Sequence, residues 1–487
     1  MDEIPKNLWK NTDEDKYQLH VTIPTIDSTI ESENVDERVV YIGDLEKRKQ
    51  AYGICGECKE PGTGYYWCQS CNAKRFKDNF KNWTSGNKDI DEFIQQSQLN
   101  AVYHKKYLEW IPFEKFQNIT YIAEGGFGKI YSAEWPEGFI YNWDIENQKW
   151  NRWNDVKYAL KSLNNSSDIC SDFLNEIKSH LQIHLVDIVQ CFGITQDQNN
   201  KEYMMVIEYC KDGNLRNYLN NKSICYIYYK IKILQLQLIA RGLLDIHNAE
   251  KVHKDFHSGN ILFKNVPYIS DLGMCQPANI KQTVGIYGVL PYMAPEVLRG
   301  QQYTKAADIY SFGIIMNEFL SEEIPFNDIP HNEFLAIKIC KGLRPTISKD
   351  IPKLLADLII KCWDAEIKNR PTTKELYQTL NGWYNGANSQ NSEIYFQIKE
   401  CDKIRREKFR NRSNEDKSKS FKTHPQAIYT SRLLNFKNLP KPVNSSDLTS
   451  FQFSSDTSYT AQSTSANPIS ECLDVQLSEL DDEHNIE

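Results

Sequence analysis

Long hydrophobic runs are missing from this chain. No apolar stretch reaches the ~18 residues that a membrane-spanning helix needs, so no helical span is expected. The start, Met1-Asp2-Glu3, has neither the basic region nor the apolar stretch of a secretory signal. An excess of positive charge is missing too. Lys and Arg total 57 against 65 Asp and Glu, a net charge of -8. The chain as a whole is therefore not built to bind nucleic acid or an anionic membrane through its charge. Internal repeats are absent. Cysteine is not scarce, but its 13 copies are an odd number. Without a secretory signal this favours a reducing compartment, with thiols that are buried, free or metal-bound. The expected location is the cytoplasm, with the nucleus as the alternative.

What is present is the composition of a soluble globular protein: 487 residues, 40% hydrophobic and 25% charged, enough for roughly two to four domain equivalents. Composition divides the chain into five stretches. Residues 1–50 are polar and acid-rich. Residues 51–84 hold two close cysteine pairs and several aromatics. Residues 85–114 read as a helical linker, with Phe93, Leu99, Tyr103, Tyr107 and Leu108 in a helix from Ile90 to Trp110. Residues 115–382 alternate short apolar runs with helical periods and can bury a large core. Residues 383–487 are charged, then rich in Ser, Thr and Asn, and are expected to form a disordered tail. The run from Asn444 to Ser470 in particular has too few aliphatic residues to offset the entropy of ordering it. The basic stretch Lys399 to Lys422 reads as a solvated helix or linker, with a nuclear-localisation patch as the alternative.

In the second stretch, Cys55 and Cys58 form one C-x2-C pair and Cys68 and Cys71 another, with nine residues between them. Each pair can form a thiolate knuckle, and the hairpin between them can bring four sulfurs to a tetrahedral zinc. So small a segment has little core of its own, and a metal would hold it together. Four thiolates leave no open coordination position, so structural zinc is the expected role, with free or redox thiols as the alternative. Lys74, Arg75, Lys77 and Lys81 make a modest basic patch that reads as a solvated face, and no nucleic-acid partner is expected.

Three motifs in the large stretch carry chemistry. Ile122 to Tyr131 reads IAEGGFGKIY. Gly125, Gly126 and Gly128 let a backbone approach phosphates with its N–H groups facing them, although glycine-rich hairpins are common. Val156 to Leu163 reads VKYALKSL, a strand by its alternation, with Lys161 inside it. A lysine there normally faces solvent. With Glu176, from the helical FLNEI run, as its partner, it would be held against a phosphate as a point charge. Val252 to Phe263 reads VHKDFHSGNILF, and Pro267 to Gly273 reads PYISDLG. Asp255 can accept a hydroxyl proton, and Asn260 and Asp271 are hard oxygen ligands, a set that suits magnesium-dependent phosphoryl transfer. Polar turns explain each piece alone but not their order and spacing.

Together these motifs resemble the eukaryotic protein kinase superfamily over about residues 117–382. The resemblance implies an α+β, two-lobed fold with a small β-rich N-lobe and a large helical C-lobe, beside the zinc-ribbon-like module and the disordered tail. It implies ATP between the lobes, contacted by Gly125, Gly126, Gly128, Ile130, Ala159 and Lys161, and by the backbone of Glu208 and Cys210 beyond a gatekeeper at Ile207. It implies magnesium on Asn260 and Asp271, a Lys161–Glu176 pair, and Asp255 as the group that orients the substrate hydroxyl and accepts its proton. Ala294-Pro295-Glu296 matches the Ala-Pro-Glu motif. Arg370 resembles the arginine that pairs with Glu296, and Asp308 the buried aspartate that ties a C-lobe helix to the catalytic loop. The HSGN sequence is similar to that of the tyrosine-kinase-like group, which mostly phosphorylates Ser and Thr.

The chain departs from the family pattern in several places. Ala123 replaces the first loop glycine, Lys254 the usual arginine before the catalytic aspartate, and Leu272 the usual Phe. Val289 stands where serine/threonine kinases usually carry a threonine, and His257 where they usually carry a lysine. The expected function is transfer of the ATP γ-phosphoryl group to Ser or Thr of protein substrates in signalling, with Tyr as an alternative acceptor. A pseudokinase scaffold is the competing reading. The partner of the cysteine module is unreadable. Thr283 is the expected regulatory phosphosite, with Lys254 as its cation. Finally, Glu134 to Asp155, with Trp135, Trp143, Trp150 and Trp153, is long for a strand-to-strand link and reads as an extended hairpin with a packing role.

Overall fold

Each part of the chain folds around the apolar residues that its pattern sets aside for burial. A computed structural model describes residues 6–14, 16–23, 38–125, 128–155, 157–162, 171–183, 187–221, 227–277, 285–411 and 423–444. The N-terminal part contains helices α1 (Leu45–Tyr52), α2 (Gln69–Asn79) and α3 (Lys88–Leu99) and a short strand β1 (Glu109–Trp110). Asp44 caps α1 by accepting from the Lys47 N–H, and Asn87 caps α3 by accepting from Asp89 and Ile90. Arg48 of α1 donates to the carbonyls of Ile42, Pro61 and Gly62, which ties the helix to the cysteine hairpin.

The helix expected from Ile90 to Trp110 ends at Leu99. The physical reason is a pair of hydrogen bonds to a later part of the chain. Gln98 donates to the Leu108 carbonyl at 2.8 Å, and the Leu108 N–H donates to Ser97 Oγ at 3.0 Å. These bonds fold the aromatic run back along α3, with Tyr103 and Tyr107 extended on either side of a 3-10 turn at His104–Lys106. The run then enters the sheet as β1.

The small lobe holds β2 (Gln117–Gly125), β3 (Gly128–Glu134), β4 (Phe139–Asp144), β5 (Lys149–Trp153), β6 (Lys157–Ser162), helix α4 (Ser171–Gln182), β7 (Cys191–Gln196) and β8 (Tyr203–Glu208). Its main sheet has the order β1-β7-β8-β6-β3-β2. The β1–β7 pair is parallel and the other neighbours are antiparallel. The close approach of β1 explains a glycine: a Cβ on Gly193 would sit 2.1 Å from the Glu109 carbonyl oxygen. Ile90 and Ile94 of α3 and Leu108 share one buried cluster with Phe173 and Ile177 of α4 and with Ile194 and Met205 of the sheet. Helix α4 is thus packed on both sides. Lys106 also donates to the Leu181 carbonyl at 3.1 Å and to that of Ile183, which satisfies open carbonyls at the end of α4.

The long insert expected between Glu134 and Asp155 is the β4–β5 hairpin, outside the main sheet. Its tryptophans lean on the cysteine module. The Trp150 ring lies 5.1 Å from Phe76 and 6.2 Å from Trp67, and the Arg75 guanidinium sits 4.1 Å over Trp143. The hairpin therefore has the packing role expected of it.

The large lobe comprises α5 (Leu215–Asn220), α6 (Tyr229–Asn248), the short strands β9 (Lys251–Val252), β10 (Ile261–Lys264), β11 (Val266–Ile269), β12 (Gln276–Pro277) and β13 (Ile286–Gly288), then α7 (Pro295–Leu298), α8 (Lys305–Ser321), α9 (Glu333–Cys340), α10 (Lys353–Cys362) and α11 (Thr373–Gly386). Helix α8 is buried from Ala307 to Leu320 and forms the centre of this lobe. Part of the stretch 383–487 that composition assigns to a disordered tail is ordered. It contains α12 (Glu393–Asn411) and a strand β14 (Arg432–Leu434), with residues 423–444 lying on the large lobe. Ile394 and Ile398, one helical turn apart, and Leu434 and Leu439 are buried in the lobe's core. Average composition hides four such leucines and isoleucines among polar neighbours. Residues 412–422 and 445–487 lie outside the described residues.

Ile94 is fully buried between α3 and α4. Ile94→Ala is expected to destabilise the small lobe by about 2–5 kcal/mol, read as a lowered denaturation midpoint. An unchanged midpoint would show that α3 does not brace α4.

Candidate active site

The site begins with a lysine that its strand would ordinarily expose. On β6 the Lys161 ammonium is buried, 2.8 Å from Glu176 Oε1 and 3.0 Å from Asp271 Oδ1. Glu176 reaches it because Phe173 and Ile177, its neighbours on α4, are held in the apolar cluster with α3. Burial alone would lower the lysine's pKa. The facing charges of Asp271 and then Glu176 outweigh burial and hold it above its ordinary value. Asp271 is in the left-handed region at φ 57°. The site accepts little bulk here: a Cβ on Gly273 would lie 3.2 Å from Glu176 Oε2.

A second group of residues is assembled on the large lobe. Asp308, fully buried in α8, accepts from the N–H groups of His253 at 2.8 Å and Lys254 at 3.2 Å, and bonds His247 Nε2 at 2.9 Å. Those bonds hold Lys254 at φ 69°, a backbone region that non-glycine residues rarely adopt. The turn delivers Asp255 next in sequence. Asn260 Nδ2 donates to the Asp255 carbonyl at 2.9 Å and approaches its Oδ2 at 3.5 Å. With its Nδ2 so engaged, Asn260 turns its Oδ1 the other way. Burial pushes the Asp255 carboxyl up, but the His257 ring, 3.5 Å away, and the hydroxyl of Ser431 hold it below the usual carboxylate range. Asp255 is therefore held as an anion.

The residues expected to meet the nucleotide are on the small-lobe strands and just beyond β8. Ala123 pairs with Ile130 and Gly125 with Gly128 across the β2–β3 hairpin. Gly128 has φ 148°, which favours glycine, and Gly126 lies outside the described residues. Ala159 is buried between Ser132 and Ile207 of the neighbouring strands. The Glu208 carboxylate binds Lys264 at 2.9 Å, and Lys264 binds Asp155 at 2.7 Å, which links the end of β8 to both lobes. Cys210 is half-buried, and burial pushes its thiol up to about 12, so it is neutral.

The structure thus brings Lys161, Glu176 and Asp271 into contact, and Asp255 and Asn260 into contact. Sequence reasoning missed Ser431, whose Oγ lies 2.5 Å from Asp255 Oδ2. One serine in a serine-rich tail carries no signal that could have found it. Thr283 lies outside the described residues.

The family described as protein tyrosine and serine/threonine kinase matches residues 116–380. The chain belongs to this family. Membership implies ATP and Mg2+ as cofactors and proteins as substrates. The chain is 29% identical over 283 residues to the serine/threonine-protein kinase VIK of Arabidopsis thaliana, covering 54% of this chain and 59% of that one. It is 30% identical over 237 residues to the dual specificity protein kinase pyk3 of Dictyostelium discoideum, covering 47% of this chain and 17% of that one. Each comparison therefore spans less than two thirds of the relative. Among the described residues no helix is long and apolar enough to cross a membrane.

Two further kinase-like features frame the site. Arg370 forks onto Glu296 at 2.7 and 2.8 Å, both side chains buried. Tyr292 is buried too, donating to Glu318 at 2.6 Å, and so is shielded from modification. Arg370→Ala would leave the Glu296 carboxylate buried and unpaired. The expected cost is about 3–5 kcal/mol, measured by denaturant unfolding; a loss below about 1 kcal/mol, the scale of an exposed pair, would contradict the burial.

Proposed function

We propose that this chain is an active protein kinase that transfers the γ-phosphoryl group of ATP to Ser or Thr hydroxyls of protein substrates. The observation that carries this reading is the single contact of Lys161 with both Glu176 and Asp271. It supports reading Lys161 as the phosphate-positioning lysine and Asp271 as a metal-binding carboxylate, and a scaffold without catalysis has no need of that alignment. Lys161 orients the phosphates as a point charge. Asp255 receives the proton of the attacking hydroxyl. The oxygens of Asp271 and Asn260 are the hard donors that Mg2+ prefers, and they would hold the ion whose charge offsets that on the transferred phosphoryl group.

Asp255→Asn is expected to lower kcat by about 10²–10⁴-fold with an unchanged circular dichroism spectrum, and Asp271→Ala to abolish transfer. Near-wild-type turnover of either variant in a labelled-ATP assay would remove the role given to that residue.

The four cysteines support a structural zinc. Their sulfurs all lie within 4.8 Å of one another, with Cys58–Cys68 at 3.6 Å and Cys55–Cys71 at 3.9 Å. A disulfide needs about 2.05 Å. A tetrahedron of ~2.3 Å zinc–sulfur bonds has edges of ~3.8 Å. Purified protein is expected to carry one zinc per chain by elemental analysis. Chelation should perturb tryptophan fluorescence, because Trp67 and Trp150 stack within and against the module. Metal-free protein with four freely titrating thiols here would rule the site out.

A further inference from the structure

The tail does more than fill a gap in the large lobe. Residues 423–444 cross in front of the catalytic loop, and β14 pairs antiparallel with β13, matching Ile286 to Leu434, Tyr287 to Leu433 and Gly288 to Arg432. Strand β13 belongs to the segment between Asp271 and Glu296, so the tail lies along the wall that leads to the catalytic aspartate. Both sides of the crossing are anchored. Before it, the Tyr429 hydroxyl donates to the Pro325 carbonyl at 2.8 Å, with the Arg216 guanidinium 3.9 Å over its ring. After it, Leu434 is buried. Between the anchors the ladder register sets Ser431 Oγ 2.5 Å from Asp255 Oδ2 and 3.5 Å from His257 Nε2.

A tail lying by chance on a surface has no reason to combine these features. It forms a strand pair, buries an apolar anchor and presents a hydroxyl within hydrogen-bond reach of a proton acceptor, the geometry that general-base catalysis requires. We propose that Ser431 is a phosphoacceptor of this same active site, and that residues 423–444 are an intramolecular substrate held in the peptide groove. The proposal rests on the kinase reading of Asp255.

The chemistry balances with ATP as the only co-reactant. Ser431 Oγ attacks the γ-phosphorus and forms the new O–P bond. The bond from the γ-phosphorus to the bridging β-phosphate oxygen breaks, and ADP leaves with that electron pair. The Ser431 proton passes to Asp255 Oδ2, and from there to solvent. The product places a phosphate of about -1.5 to -2 charge against the Asp255 carboxylate. Like charges at that distance repel, so phosphorylation would drive the segment out and open the groove to other proteins. Unmodified, the segment competes with them. Ser431 thus makes the tail both the first substrate and the gate.

The test uses the full chain, stripped of phosphate and incubated with Mg-ATP over a wide range of enzyme concentration. A parallel reaction contains an added basic protein as generic acceptor. Phosphate is expected on Ser431 by mass spectrometry, with a first-order rate constant that does not change with enzyme concentration. Label on the added protein but none on Ser431 overturns the proposal and leaves the kinase reading standing. No label on either overturns both. A Ser431 rate constant that rises with enzyme concentration means transfer between chains and overturns the intramolecular substrate. The variant Leu434→Asp removes the buried anchor without touching the catalytic groups. It is expected to slow Ser431 phosphorylation roughly tenfold or more, the scale set by burying one leucine side chain, and to speed phosphorylation of the added protein. If Leu434→Asp leaves both rates as they were, the docked segment is not what delivers Ser431.

Discussion

One ammonium group between two carboxylates is the constraint that the rest of the small lobe serves. Lys161 meets Glu176 from a helix and Asp271 from the base of the other lobe. A buried lysine without such partners would lose its charge, and a buried carboxylate would gain a proton. Strand β6, helix α4 and the turn at Asp271 must therefore all be placed before any of the three charges is tolerable. The sheet fixes β6 through pairs on both sides. Helix α4 is fixed by apolar packing, with α3 and Leu108 closing its outer side. The N-terminal linker is thus part of the electrostatics of the site, although it contributes no charge to it.

The large lobe solves a related problem with a different device. Its buried charges are spent on backbone geometry. Asp308 satisfies two successive N–H groups of the catalytic loop and so stabilises a strained residue at Lys254. Glu296 and Arg370 neutralise each other in a fork that joins α7 to the loop before α11. Removing one partner of such a pair strands the other in a medium that solvates it poorly. These pairs therefore fix one arrangement of loops more than they add stability.

The legible part of the sequence was the part whose residues are tied to chemistry at fixed spacing. Lys161, Glu176, Asp255, Asn260 and Asp271 fall into two contacting groups: the Lys161–Glu176 pair was expected from the sequence, while the contact of Asp271 with Lys161 was not. The four cysteines converge for the same reason. What composition and periodicity misjudged depends on contacts between distant segments. The linker helix stops at Leu99 because Ser97 and Gln98 find partners at Leu108, and no local pattern announces that. Residues 423–444 are ordered because Leu434 and Leu439 find vacancies in the large lobe's core. A window average over a polar tail cannot register two leucines. The tryptophan-rich insert lay between these cases: its length and aromatics implied packing, but not the surface that receives it.

The edge strand β1 separates two meanings of the word domain. Family likeness begins at residue 116, yet β1 and α3 lie before it. A piece cut at that border would uncover the outer edge of β7 and the apolar back of α4. Unpaired strand edges invite pairing with other chains, and exposed apolar faces invite association. The border of ancestry and the border of independent folding are therefore not the same in this protein. The cysteine module and the catalytic core are packed together through α3, the run leading into β1 and the tryptophan hairpin. A recombination that exchanged either for a homologue would have to carry α3, β1 and the tryptophan hairpin with it.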